Sequence, residues 1–103
     1  MQHIALNLIN EKNELIQRSE INFVPVMKMM WSIEDCEKNY PFLVGIDPYG
    51  HTYFNVHQAP KVIEELKNLK KEKMFEAAIK ETDDSIKFLK KVEQHTFVNF
   101  IGD

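Results

Sequence analysis

The sequence predicts an α+β fold: an antiparallel sheet of four to five strands with two helices packed on one face. Three observations point there. Both ends alternate apolar and polar residues, in "HIALNLIN" (3–10) and "HTFVNFIGD" (95–103), which is the period of a half-buried strand. The middle, "FLVGIDPYGHTYFN" (42–55), sets β-branched and aromatic residues on either side of a turn signature. Between that stretch and the last strand lie two apolar stripes at helical spacing. Hairpins followed by helices collect the helices on one face of an antiparallel sheet.

The first strand, near 3–9, is followed by the polar "EKN" and by "ELIQRSEI", which predicts a second strand near 14–20. In "VPVMKMMWS" (24–32) apolar residues are too dense for alternation, and Pro25 suits a first helical turn. A short helix or turn is expected there, with Met27, Met29 and Met30 beside Trp31 read as core rather than as a docking surface. "IEDCEKNYP" is then an acidic loop ending at Pro41.

Strands are expected at 42–46 and 51–55. Asp47, Pro48 and Gly50 occupy the first, second and fourth places of a type I turn, so Asp47–Gly50 is expected to be a tight hairpin turn with Gly50 at positive φ. Asn55 and Gln58 have the spacing of a capping box. A single turn over 55–58 keeps Pro60 in the first turn of the following helix, near 60–69, where Val62, Ile63, Leu66 and Leu69 share a face. The "KKEK" run breaks that phase. Phe75, Ala78, Ile79, Thr82, Ile86, Leu89 and Val92 begin a second stripe, which predicts a helix near 73–93. The closing strand is expected near 95–101.

At 103 residues, 44% hydrophobic and 28% charged, the chain has the makings of one globular domain, 1–103. Its lone cysteine, Cys36, has no intramolecular disulfide partner, no basic and apolar leader opens the chain, and no apolar run is long enough for a membrane helix. A cytoplasmic protein without a membrane partner is expected. The net charge is −3. Acids gather in "IEDCEKN" and at Asp47, alongside the aromatics. Nucleic-acid binders interleave aromatics with a basic patch instead, so no nucleic-acid partner is expected, and a basic or polar protein partner is.

Chemistry is sparse. Cys36 lies among acids that oppose thiolate formation, and no local motif brings His3, His51, His57 or His95 to it. His51, His57 and Asp47 make a weak metal set, and "GIDPYG" lacks the glycine spacing and lysine of a phosphate loop. Glu64, Glu65, Asp83 and Asp84 read as charges on solvated helix faces. No catalytic residue, no metal and no cofactor are expected, and the chain is not expected to be an enzyme.

"YPFLVGIDPYGHTYFNVHQ", followed by two helices and a final "HTFVNFIGD", resembles a group of small, largely uncharacterised bacterial proteins that share an IDPYGxTxFNxxQ motif. The resemblance spans about residues 40–103; His51 stands where the pattern usually has Asp. Such proteins resemble the immunity proteins of bacterial toxin systems, which bind a cognate toxin and block it. The resemblance therefore implies a non-enzymatic, immunity-like inhibitor with a toxin domain as partner. The alternative is a small structural or regulatory interaction module, homodimeric through an edge strand or the Met-Trp segment. The motif itself explains as architecture, so binding falls to exposed residues. Glu34, Asp35 and Glu37 on the acidic loop are expected to steer a partner, and Tyr49, His51 and Tyr53 at the hairpin to anchor it.

Overall fold

Ile4, Leu6 and Leu8 are buried while Ala5 and Asn7 between them are not, and that alternation is β1 (Ile4–Asn10). The computed structural model describes residues 2–73 and 76–103, and only the backbone of Ala77. After β1 come β2 (Leu15–Arg18), α1 (Val24–Trp31), α2 (Cys36–Asn39), α3 (Pro41–Val44), β3 (His51–Phe54), α4 (Ala59–Leu69), α5 (Glu76–Leu89) and β4 (Thr96–Gly102). The described strands form one antiparallel sheet of four in the order β2-β1-β4-β3. The helices pack alongside it, an α+β fold.

One face of the sheet carries the core. Leu6, Leu8, Phe54, Val98 and Phe100 meet Val26, Met27 and Met30 of α1, Leu43 of α3, Val62 and Leu66 of α4, and Leu89 of α5. Phe100 lies edge-on to both Phe23 and Phe54, with centroids 5.0 and 5.5 Å away. α1 packs on α5, α5 on α4, and α4 on α3. Lys70 and Asp83 pair at 2.5 Å across the α4–α5 connection. As expected, Met27, Met29 and Met30 are core; Trp31 is 43% exposed.

Several expectations are corrected. Residues 42–46 are not a strand: Pro41–Val44 is a helical turn, so the sheet has four strands. Pro41 presets the first turn. The Phe42 and Leu43 amides donate to the Glu65 carboxylate at 3.0–3.1 Å, which satisfies the donors that a helix start leaves unpaired. Glu65 is therefore no solvated charge; it is 7% exposed. The acidic loop, too, is partly helical, as α2.

Asp47–Gly50 is a turn, but it joins α3 to β3 instead of two strands. The Asp47 carboxylate accepts from the Tyr49 amide at 2.9 Å, and Thr52 Oγ1 accepts from the Asp47 amide. Gly50 does not have positive φ. Its missing side chain matters because a Cβ would lie 2.6 Å from an Asp47 carboxylate oxygen. Gly102 has a stronger reason. The turn crosses the end of β4 there, the Gly102 amide donates to the Gly50 carbonyl at 2.8 Å, and a Cβ would meet the Pro48 carbonyl oxygen at 2.1 Å.

The expected turn over 55–58 and its capping box are present. The Asn55 amide donates to Gln58 Oε1 at 2.9 Å, the Gln58 amide donates to Asn55 Oδ1 at 3.0 Å, and α4 follows with Pro60 in its first turn. In the second stripe Ala78, Thr82, Ile86 and Leu89 are buried, but Ile79 is 41% exposed. Phe75 lies outside the described residues.

Candidate functional site

Strand pleating decides which side chains leave the core. On β3, Thr52 faces the helices with Phe54; His51 and Tyr53 therefore point to the opposite face, beside Ile101 and Asn99 of β4. Ile9 and Phe97 pair on that same face, as do Asn7 and Asn99. None of these residues belongs to the core that the sheet shares with the helices, so this face is uncovered by them, although Ile9 and Asn99 are themselves buried.

His51 and Tyr53 stack there with centroids 6.0 Å apart and planes 12° from parallel. Tyr53 is 44% exposed, and Tyr49, in the preceding turn, is 68% exposed. Asn99 Nδ2 lies 3.0 Å from His51 Nδ1. With the amide donating, Nδ1 accepts and the ring's proton sits on Nε2. Asn99 is 3% exposed, yet its Oδ1 has no hydrogen-bond partner among the described residues. A buried acceptor left unpaired costs about 1–3 kcal/mol, so such groups are rare in folded proteins.

Beside the stack lies a shallow hollow of about 280 Å³, lined by Ile9, Asn10, Glu11, Asn13, Tyr53 and Phe97. The β1–β2 turn forms its polar rim. Asn10 Oδ1 accepts from the Lys12 and Glu14 amides at 2.9 Å, which folds the turn back on itself. Asn13 takes φ 64°, the left-handed conformation that asparagine tolerates. The Glu11 carboxylate and His95 Nδ1 are in contact across the start of β4.

The six expected binding residues divide. His51 and Tyr53 share the uncovered sheet face, and Tyr49 belongs to the turn that leads into it. Glu34 and Asp35 lie between α1 and α2, and Glu37 lies within α2, in the helical layer on the other side of the sheet; all three are exposed. One flat surface does not hold both groups. Asp35 is left-handed, with φ 59°.

Cys36 is half-buried, its Sγ 3.6 Å from a Glu37 carboxylate oxygen. Burial pushes the thiol above its ordinary pKa, and the Glu37 hydrogen bond and charge push the same way. The sequence reading had the direction and named the smaller cause. His57 is exposed, its amide donating to Asn55 Oδ1 at 2.9 Å. Among the described residues no three His, Cys, Asp or Glu side chains group as a metal ion requires. No described helix is long and apolar enough to cross a membrane.

Asn99, Ile9 and Phe97 escaped the sequence reading. The signal was present: once 95–101 is a strand, alternation puts Phe97, Asn99 and Ile101 on one face and Val98 and Phe100 on the other. Which face the helices cover follows only from packing. Fold and site together define a one-sided α+β domain with an aromatic, uncovered sheet face. Comparison with protein-family models, curated proteins and solved structures returned no match.

Proposed function

We propose that this is a non-enzymatic binding protein of the immunity type, which neutralises a cognate bacterial toxin in the cytoplasm by direct contact. The observation that carries the reading is the uncovered sheet face, with the His51–Tyr53 stack and the hollow beside it. Tyrosine gives a rigid, amphipathic contact of the kind that anchors protein interfaces. A sheet backed by a helical layer holds such rings in place without the ordering cost of a loop. The IDPYGxTxFNxxQ resemblance supports the toxin-blocking part of the reading. The sheet face is the anchor in this proposal, and Glu34, Asp35 and Glu37 act by long-range steering of a basic partner.

The test uses the product of the adjacent gene as the binding partner. Tyr53→Ala is expected to weaken binding about tenfold or more through faster dissociation. Glu34→Lys with Glu37→Lys is expected to slow association and reduce its dependence on salt. Failure of that product to bind removes the inhibitor reading; equal binding by every variant removes the surface. A second reading, a homodimeric interaction module, is favoured by Leu15 and Ile16, exposed to 46% and 51% on the edge strand β2. Sedimentation at high concentration separates the two: a dimer dissociated by Ile16→Lys supports the second.

A further inference from the structure

We propose that the outer edge of β3 is a docking edge, where a partner protein adds an extended strand to the sheet and lays its side chains against the His51 and Tyr53 rings. The proposal deepens the protein-binding reading above and rests on it. Hydrogen-bond parity carries it. The Gly102 amide donates to the Gly50 carbonyl, and the register runs from His51 opposite Ile101 to Phe54 opposite Val98. In an antiparallel pair the bonded positions alternate, so Thr52 and Phe54 turn their main-chain groups toward β4. His51 and Tyr53 turn theirs away from the sheet. On the far side of β4 the Asp103 amide donates to the His3 carbonyl, which fixes the same alternation independently. The register thus directs the main-chain N–H of His51 and Tyr53 to the side of β3 away from β4.

The other edge of the sheet is less regular, although it exposes Leu15 and Ile16. β2 pairs with β1 through an irregular register at Leu8 and Ile9, ends in Arg18, and has Lys91 of the helical layer reaching its Gln17 at 3.1 Å. Bulges and cations on an edge are devices that deter strand addition. β3, with the sequence HTYF, is regular and holds no proline, lysine or carboxylate. Its main-chain bonds are therefore open at the two residues whose rings form the uncovered aromatic shelf. An added strand would bond to both amides and both carbonyls, and its alternate side chains would fall on the shelf of the His51 and Tyr53 rings.

The occupant is a strand of another protein, with apolar residues alternating with Lys or Arg. Two copies of a four-residue strand cover far less than the roughly 1,000 Å² that a lasting interface needs, which disfavours self-pairing. A longer foreign strand continues past β3 over the uncovered face. The net charge of −3 favours a basic partner.

The test begins with hydrogen exchange of the free protein. The amides of Thr52 and Phe54 are expected to be protected, and those of His51 and Tyr53 to exchange freely. A phage-displayed library of linear peptides is then selected against the full chain, and the winning peptide is synthesised as the probe. It is expected to slow exchange at His51 and Tyr53 while leaving β2 unchanged. Tyr53→Pro removes an outward amide that no fold contact uses, and proline is tolerated at such edge positions. Relative to Tyr53→Ala, which removes only the ring, it is expected to weaken the peptide by a further factor of about ten, the worth of one or two main-chain hydrogen bonds. If Tyr53→Pro does not fold, His51→Pro against His51→Ala makes the same comparison. Reversed protection in the free protein, no peptide that protects the two amides, or equal binding by the Pro and Ala variants overturns the proposal. The adjacent gene's product separates the two levels. If it binds without protecting His51 and Tyr53, the docking edge falls and the inhibitor reading stands. If the peptide docks on β3 but that product does not bind, the inhibitor reading falls and the edge stands.

Discussion

Glu65 is the residue whose setting differs most from its sequence signal. Next to Glu64 in a run of alternating charges, it looks like any helix-surface acid. In the fold it is buried and receives the Phe42 and Leu43 amides. Burial pushes its carboxyl above the ordinary glutamate range, and those amides pull it back only in part. A carboxyl that holds its proton more tightly when folded adds stability at low pH, and that stability is lost as pH rises through the raised pKa. The stability of the native protein relative to Glu65→Gln should therefore fall as pH rises from the ordinary glutamate range, then level off. Urea titrations of both proteins over a pH series check this. Asp103 shows the opposite sign. The His3 and Gln2 amides hold its carboxyl below the ordinary range, so its contribution is present above that range and is lost as pH falls through the lowered pKa.

Elements whose signal is local were legible in the sequence. β1 and β4 follow from alternation, α4 and α5 from their apolar stripes, and the entry to α4 from Asn55 and Gln58, whose capping box depends on residues three apart. α3 was not legible, because the group that stabilises it lies 22–23 residues away on another helix. "FLVGI" has strand propensity; Pro41 and the Glu65 carboxylate override it. Removing that carboxylate should undo the override. Glu65→Ala leaves two amides short of an acceptor, each at a cost of about 1–3 kcal/mol, so a total loss of about 2–6 kcal/mol is expected. Chemical denaturation measures it, and amide exchange should show Phe42 and Leu43 deprotected first. Of the candidate site, the exposed rings on β3 were legible from strand periodicity. The division of the six residues between two sides of the sheet was not, since it depends on which face the helices cover.

At the scale of the whole molecule, the described helices share their core with one side of the sheet, and the other side exposes His51 and Tyr53 while Ile9 and Asn99 on it are buried. β4 sits between β1 and β3 and, among the described strands, is the one that touches both. β1 and β2 are joined to β3 through it alone, and Phe100 on β4 contacts both Phe23 and Phe54. A chain ending at Gln94 should therefore lack cooperative unfolding and bind hydrophobic dyes, whereas one lacking only the β1–β2 turn residues Lys12 and Asn13 should keep its core. Calorimetry and dye fluorescence distinguish them. The central place of β4 also has a consequence in time. A ribosome delivers residues in order, and 96–102 emerge after every other element described here. Until they do, β1 carries an unpaired inner edge, β3 has no neighbour in the sheet, and the apolar faces of the helices lack Val98 and Phe100 to pack against. Assembly of this sheet must wait for synthesis to pass residue 102, and through that interval the nascent chain exposes apolar surface and open strand edges.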